Sequence, residues 1–243
     1  MRSQFQYIQW LNNGKINKKH TRMKKEKHHK YVFEDGKFIG DFDNMYKNCD
    51  DPWGLDKKHN EQIDYDLIAC FVGYFKRVNK LERPKILEIG SGKGYFCNAI
   101  SNMGEVTGLE ISQHAVNIAK ERFLNCDFRV GNIMDDNVHL TANLINKSYD
   151  FVIMFKGMIW YVINKIESVF QRIRLLLNDD GIAIIGVNYN SGDYYGKNII
   201  SSKDDLTSLI QEEFEILNVF DEYSKESGLD FKERSYFILK KGN

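Results

Sequence analysis

Residues 86–96 read ILEIGSGKGYF. A short apolar run with one acid, Glu88, enters a turn with glycine at 90, 92 and 94, and aromatic residues then resume. Such a run, bounded by Gly-rich punctuation, is the pattern of a buried strand turning sharply into a helix. In an open α/β sheet the ligand lies at the carboxyl ends of the strands, beside the first strand-to-helix turn. The stretch therefore places a ligand site as well as a strand.

The chain around it supports that reading. After Pro84, short apolar runs alternate with amphipathic segments. Strands are expected at 85–89, 105–110, 126–131, 149–155, 181–189, 214–223 and 231–241. Helices are expected at 93–103, 112–124 with Ser112 as N-cap, around 137–146, 161–177 and 202–213. This alternation calls for a mostly parallel sheet covered on both faces. The last two strands are separated only by SKESGLD, too short for a parallel crossover, so the final strand must run antiparallel. Ahead of Pro84, the segment 57–82 places Ile63, Leu67, Ile68, Phe71, Val72 and Phe75 on one helical face. The expected architecture is an α/β, Rossmann-like seven-stranded sheet with helices on both faces and an N-terminal helical extension. Residues 1–56 form a basic arm and a segment capping the cleft, and 57–243 form the main domain.

Composition narrows the function. The 243 residues suit one generous domain. With 34 Lys and Arg against 34 Asp and Glu the net charge is zero, so no global field favours nucleic acid or membrane. Residues 15–30, KINKKHTRMKKEKHHK, are the exception: this arm is either a solvated extension or a patch for an anionic partner. The four cysteines form no C-x-x-C and read as free structural thiols. No apolar run approaches a membrane span and no secretory core stands at the N-terminus, so a cytoplasmic protein is expected. His20, His28 and His29 lack partners at metal-ligand spacing, His114 and His139 are expected on helix faces or loops, and no metal is predicted.

Three adenosine-containing ligands compete for the glycine turn. A phosphate loop needs Ser or Thr after its lysine, but Lys93 is followed by Gly94. A dinucleotide turn needs a small sixth residue, and that position is Tyr95. Glu88 at the mouth repels a pyrophosphate and attracts a sulfonium or ammonium group. Glu110, at the end of the second strand and 22 residues beyond Glu88, can accept hydrogen bonds from both ribose hydroxyls. A ribose and a cation without phosphate describe S-adenosylmethionine.

LEIGSGKGYF, VTGLEIS, FRVGNIMD, YDFVIMFKGMIWYV and LLLNDDGIAIIGVN together resemble the successive motifs of class I S-adenosylmethionine-dependent methyltransferases. The resemblance implies that Glu88, Gly90, Ser91, Gly92, Gly94 and Tyr95 line the methionine part. Glu110 would hold the ribose and Ile111 would lie against adenine. Asn132, where the family usually has Asp, would stand near the adenine amine with Ile133 beside the ring, and Phe155 and Lys156 would border the sulfonium. S-adenosylhomocysteine would be the product.

The acceptor side is less defined. The segment after the fourth strand carries Tyr161 where small-molecule methyltransferases often have His, so Tyr161 is either a wall aromatic or a hydroxyl touching the acceptor, and Lys156 can hold an anionic acceptor. Amino-methylating DNA enzymes are excluded, because no proline follows position 84. DDPWG at 50–54 resembles a stretch in bacterial nodulation-type and surface-glycan methyltransferases, including those acting on O-methyl phosphoramidate groups. Trp53 and Tyr46 either cover the methionine end or pack the N-terminal segment onto the sheet. The loop 188–198, with Asn188, Tyr189 and Tyr194, is the expected acceptor wall. The resulting expectation is methyl transfer to an oxygen of a small, anionic or sugar-linked molecule of capsule or surface-polysaccharide synthesis. An RNA methyltransferase using the basic arm and a non-catalytic cofactor-binding subunit are the alternatives.

Overall fold

A computed structural model of the chain describes residues 28–34, 37–58, 62–144, 148–189, 200, 202–226 and 230–242. Along it run α1 (His29–Val32), β1 (Phe33–Glu34), β2 (Lys37–Phe38), α2 (Phe42–Asn48), α3 (Leu55–Lys58) and α4 (Ile63–Val78). Then come β3 (Lys85–Ile89), α5 (Tyr95–Ala99), β4 (Glu105–Glu110), α6 (Gln113–Arg122), β5 (Asp127–Val130) and α7 (Val138–Thr141). The remainder is β6 (Tyr149–Met154), α8 (Met158–Tyr161), α9 (Ile166–Leu176), β7 (Leu177–Asn188), α10 (Lys203–Gln211), β8 (Phe214–Glu226) and β9 (Asp230–Lys241).

The main sheet has seven strands in the order β5-β4-β3-β6-β7-β9-β8. β3 to β7 pair in parallel, and β9 pairs antiparallel with both β7 and β8. The reversed final strand is thus observed, and it inserts between its two predecessors. β9 thereby lies beside β7, and its residues Arg234 and Tyr236 reach the ligand end of the sheet.

Period-two alternation divides the sheet into two cores. Leu87, Ile89, Val152 and Met154 pack on one face with Phe170 and Ile173 of α9. Ile86, Phe151 and Ile153 pack on the other with Ile68 and Val72 of α4 and Phe96 of α5. Glu88 shares the parity of Ile86, so it points to the α5 face and meets Cys97. Polar residues at such tips of buried strands are site candidates, because little but a partner or a ligand compensates them.

Three local expectations need correction. On α4 the buried face is Tyr65, Ile68 and Val72, whereas Ile63, the first residue of the helix, is 66% exposed. The segment 161–177 is not one helix but a short helix, a 3₁₀ turn over Ile163–Lys165, and α9. β7 starts four residues earlier than the apolar run at 181, because Leu177 pairs with Tyr149 across a register shift. The Ser112 N-cap is present, its Oγ accepting from Ala115 N at 3.1 Å. All four cysteines are free thiols.

Candidate active site

The tips of β3, β4, β6, β7 and β9 enclose a cavity of about 370 Å³, covered from one side by residues 38–56. One wall begins at the glycine turn. Gly90 (φ 79), Gly92 (φ 53) and Gly94 (φ 82) all have left-handed backbones, which only glycine adopts without strain. A Cβ on Gly90 would meet the Met158 sulfur at 2.4 Å, and one on Gly92 would meet Tyr46 Oη at 2.8 Å. Ser91, whose buried Oγ has no partner among the described residues, lines the cavity between them.

Glu110 accepts from Gly92 N through Oε2 and from Ser112 N through Oε1, both at 2.9 Å. The two bonds lock the carboxylate at the cavity edge with lone pairs to spare. Burial raises its pKa, and the backbone donors oppose that shift. Glu88 is 4% exposed and accepts from the Cys97 thiol at 2.9 Å. Burial lifts its pKa to about 7, Glu110 pushes it the same way, and the Cys97 contact and Lys156 oppose. A group so placed is a poised negative charge that a cation would draw into its ionised form.

Ile89, Leu109, Ile133 and Phe155 give the cavity its apolar surface, and Ile111, 40% exposed, stands at the rim. Asn132 also lines it, with its Oδ1 accepting from Met134 N at 3.0 Å. That carbonyl is already engaged once, so its remaining lone pair is what it offers an adenine amine.

Residues 38–56 form a strap fixed at three points. Asp43 accepts from Ser112 Oγ at 2.9 Å and His114 N at 3.0 Å, at the start of α6. Lys47 and these donors hold its carboxyl down at about 2. Lys93, only 7% exposed, donates to the Asp50 carbonyl and pairs with Asp56 at 3.0 Å. Trp53 Nε1 donates to Tyr46 Oη at 2.9 Å directly over Gly92. The lysine that failed the phosphate-loop test is thus a tether for the strap. The His28 ring packs on Trp53 at a centroid distance of 4.9 Å, while residues 1–27 of the basic arm lie outside the described residues.

The opposite wall comes from parts distant in sequence. Asp64, near the start of α4, accepts from Arg234 Nη1 at 2.9 Å and Tyr236 Oη at 2.6 Å. Lys156 donates to Gln62 Oε1 at 3.0 Å and stands 4.2 Å over the Tyr65 ring. Partial desolvation lowers its pKa to about 8, although the side chain as a whole remains open to water. Tyr161 stacks on Phe38 at 5.8 Å and meets Phe42 edge-on at 5.3 Å. Burial raises its pKa to about 12, so the phenol stays protonated and cannot serve as a base near neutrality.

Of the residues the sequence nominated, the two glutamates, Gly90, Ser91, Gly92, Tyr95, Asn132, Phe155, Lys156 and Tyr161 meet around this cavity. Ile111, Ile133, Trp53, Tyr46 and Asn188 do so as well. Gly94 does not: it caps α5, and a Cβ there would strike Phe128 at 2.5 Å, so its role is packing. Tyr189 packs against the core beneath α9 rather than lining the cavity, and Tyr194 lies outside the described residues. Gln62, Asp64, Tyr65, Arg234 and Tyr236 were not foreseen, and no local motif marks them. His114 and His139 are not among the lining residues.

A sheet of this order, with a glycine turn after β3, an acid ending β4 and a reversed last strand, has known counterparts. Residues 86–181 match the family described as methyltransferase domain. The chain has a Rossmann-like methyltransferase fold. A putative methyltransferase, 235L, of Invertebrate iridescent virus 6 is 26% identical over 155 residues, covering 60% of this chain and 56% of the viral one. The chain thus spans little more than half the length of that relative. The solved S-adenosylmethionine-dependent methyltransferase of Clostridium acetobutylicum superposes with a TM-score of 0.61 at 15% identity, covering 81% of this chain and 100% of that one. The N-methyltransferase NodS of Bradyrhizobium japonicum, solved with S-adenosylhomocysteine, superposes with a TM-score of 0.58 at 12% identity, covering 81% and 94%. Among the described residues, no helix is long and apolar enough to cross a membrane.

Proposed function

We propose that the chain binds S-adenosylmethionine in this cavity and transfers its methyl group to an oxygen of a small molecule, with S-adenosylhomocysteine as product. The observation that carries the proposal is the pair of buried carboxylates, Glu88 and Glu110, on the tips of adjacent parallel strands beside a left-handed glycine turn. The residues fit that cofactor. Glu110 is fixed by two backbone donors and lines the cavity, where it would accept from the ribose. Glu88 offers countercharge to a sulfonium or ammonium group. Ser91 Oγ supplies a buried polar atom in need of a partner, and the glycines leave room where side chains would stand.

When bound, the cofactor supplies a methyl group already activated by its sulfonium, so alignment is the principal demand on the protein. Tyr46 and Trp53 close over Gly92 and exclude water from that side. Phe155 presents an apolar surface at the end of β6, next to Lys156, with its ring against Phe96 at 4.8 Å, and Phe38, Phe42 and Tyr161 line the same cavity. Tyr161 stays protonated and no histidine stands among the described lining residues, so neither supplies a general base there. Positioning and the acceptor's own acidity then carry the step.

For the acceptor, we propose a sugar or phosphoramidate-bearing component of capsule or surface-polysaccharide synthesis. An aromatic patch beside polar groups suits a hydroxylated ring, and the resemblance of DDPWG to glycan-modifying enzymes supports the same class. Residues 38–56 act, on this reading, as a cap over the cofactor. The test is calorimetric titration with S-adenosylhomocysteine, followed by an assay for its formation from S-adenosylmethionine with a panel of sugar, phosphorylated and phosphoramidate acceptors. Saturable cofactor binding with turnover on one of these is the expected result. NAD or ATP binding in place of S-adenosylhomocysteine would refute it.

A further inference from the structure

Lys156 follows β6 in a left-handed backbone conformation (φ 54), and Gly157 after it is left-handed too (φ 77). A non-glycine residue held there stores on the order of 1–2 kcal/mol of strain, which persists where the surroundings over-determine it and clusters at binding sites. The turn brings the side chain onto the cavity wall. There its ammonium donates to the neutral Gln62 amide and lies over the Tyr65 ring. Among the described residues no carboxylate comes within ion-pair distance of it. The nearby Asp64 is taken by Arg234 and Tyr236, and Glu88 by the Cys97 thiol. An ammonium has three donors, and Gln62 uses one. The cavity therefore contains a partly desolvated cation with donors to spare.

We propose that Lys156 anchors an oxyanion, carboxylate or phosphate, carried by the methyl acceptor; this rests on the methyltransferase reading above. Place in the fold assigns the anion to the acceptor rather than to the cofactor's own carboxylate. Lys156 stands with Asn188 of β7 and Arg234 of β9, on the side of the sheet away from Glu110, Ile111 and Asn132. The Arg234–Asp64–Tyr236 network holds the start of α4, and with it Gln62 and Tyr65, against β9, so it positions the lysine. A neutral acceptor would leave that charge without a complement. An acceptor with an acidic group beside its hydroxyl would be bound and oriented by one contact.

The test uses the full chain saturated with S-adenosylhomocysteine, titrated by calorimetry with inorganic phosphate and, separately, sodium acetate at constant ionic strength. Saturable binding of at least one anion is expected, weakened by about tenfold in Lys156→Met, as for loss of one charge-assisted hydrogen bond, and restored in Lys156→Arg. The two titrants separate a phosphate-bearing from a carboxylate-bearing acceptor. Absence of saturable binding in the wild type, or equal binding in Lys156→Met, overturns the proposal. Anions that compete with S-adenosylhomocysteine, together with weakened cofactor affinity in Lys156→Met, would assign Lys156 to the cofactor carboxylate and overturn it equally. If the wild type binds no S-adenosylhomocysteine, the methyltransferase reading falls, and the same titration on the unliganded protein still decides whether Lys156 binds oxyanions.

Discussion

The two walls of the cavity differ in the sequence distance that each must span. On the proposed cofactor side, Gly92, in the turn after β3, and Glu110, at the end of β4, are 18 residues apart and joined by one hydrogen bond. On the proposed acceptor side, Asp64 meets Arg234 across 170 residues and Tyr236 across 172. The first wall is a property of one βαβ unit and survives wherever that unit folds. The second exists only once β9 has inserted beside β7. A wall of the first kind can recur wherever that unit does, while the second is particular to this strand insertion.

If the cofactor wall is as self-contained as this contrast says, Glu110→Ala should have the largest effect of any single change there. It removes both charged acceptors proposed for the ribose and frees the Gly92 amide. Two charge-assisted hydrogen bonds are worth about 3–6 kcal/mol together, so S-adenosylhomocysteine affinity should fall at least about 100-fold by calorimetry. Affinity within a few-fold of wild type would mean that the carboxylate serves only the turn.

Glu88 sharpens the contrast through pH. Its folded pKa of about 7 lies above the ordinary 4.5, so the folded state holds a proton that the unfolded state has released. The associated stability is complete below about pH 4.5 and is lost as pH rises through about 7, on the order of 3 kcal/mol across that window. A cationic ligand reverses the preference, because it needs the carboxylate ionised. S-adenosylmethionine should therefore bind more tightly as pH rises through about 7, more steeply than the uncharged S-adenosylhomocysteine thioether. Cys97, Lys156, Glu110 and Tyr65 face the same carboxylate; burial lowers Lys156 to about 8 and raises Glu110 from its ordinary 4.5, so both titrate alongside Glu88. Glu88→Gln should flatten both profiles; unchanged profiles would remove Glu88 from cofactor recognition.

Gly94 separates the turn's architecture from its binding role. Gly94→Ala must adopt a left-handed backbone and displace Phe128, which together cost about 2–4 kcal/mol. Urea midpoints should fall accordingly, while S-adenosylhomocysteine affinity of the remaining folded protein holds. A selective loss of affinity at unchanged stability would return Gly94 to the ligand-lining set.

What the sequence made legible follows the same division. Strand parity, the glycine turn and the acids at strand tips are local patterns, and each landed where periodicity put it. The short connection before β9 settled its direction, but no rule of connection length told that it would slot between β7 and β8. Asp64 and Tyr65 open an amphipathic helix and look like its first turn, and only contact with β9 makes them part of a site. Lys93 was judged by the motif it fails, yet its partners, Asp50 and Asp56, come from a strap whose path over the glycine turn is set by tertiary packing.

That tether supplies the smallest of the expected effects and the one that joins the two walls. Lys93 is buried between the glycine turn and the strap, and Asp56 is partly exposed. Lys93→Met keeps the packing volume and leaves Asp56 to Arg122 Nη2, 3.5 Å away, and to water, so the stability loss should be about 1–2 kcal/mol, below the 3–5 kcal/mol of a wholly buried pair. The local consequence should be larger than the global one. With Asp43 still docked on α6, loss of the Lys93 tether to Asp50 and Asp56 loosens the stretch carrying Trp53, and limited proteolysis near residues 50–58 should accelerate before the melting temperature moves appreciably. S-adenosylhomocysteine should protect that stretch in the wild type, since Tyr46 and Trp53 lie directly over Gly92. Equal cleavage with and without the ligand would detach the strap from the cofactor and leave the glycine turn open to solvent on that side.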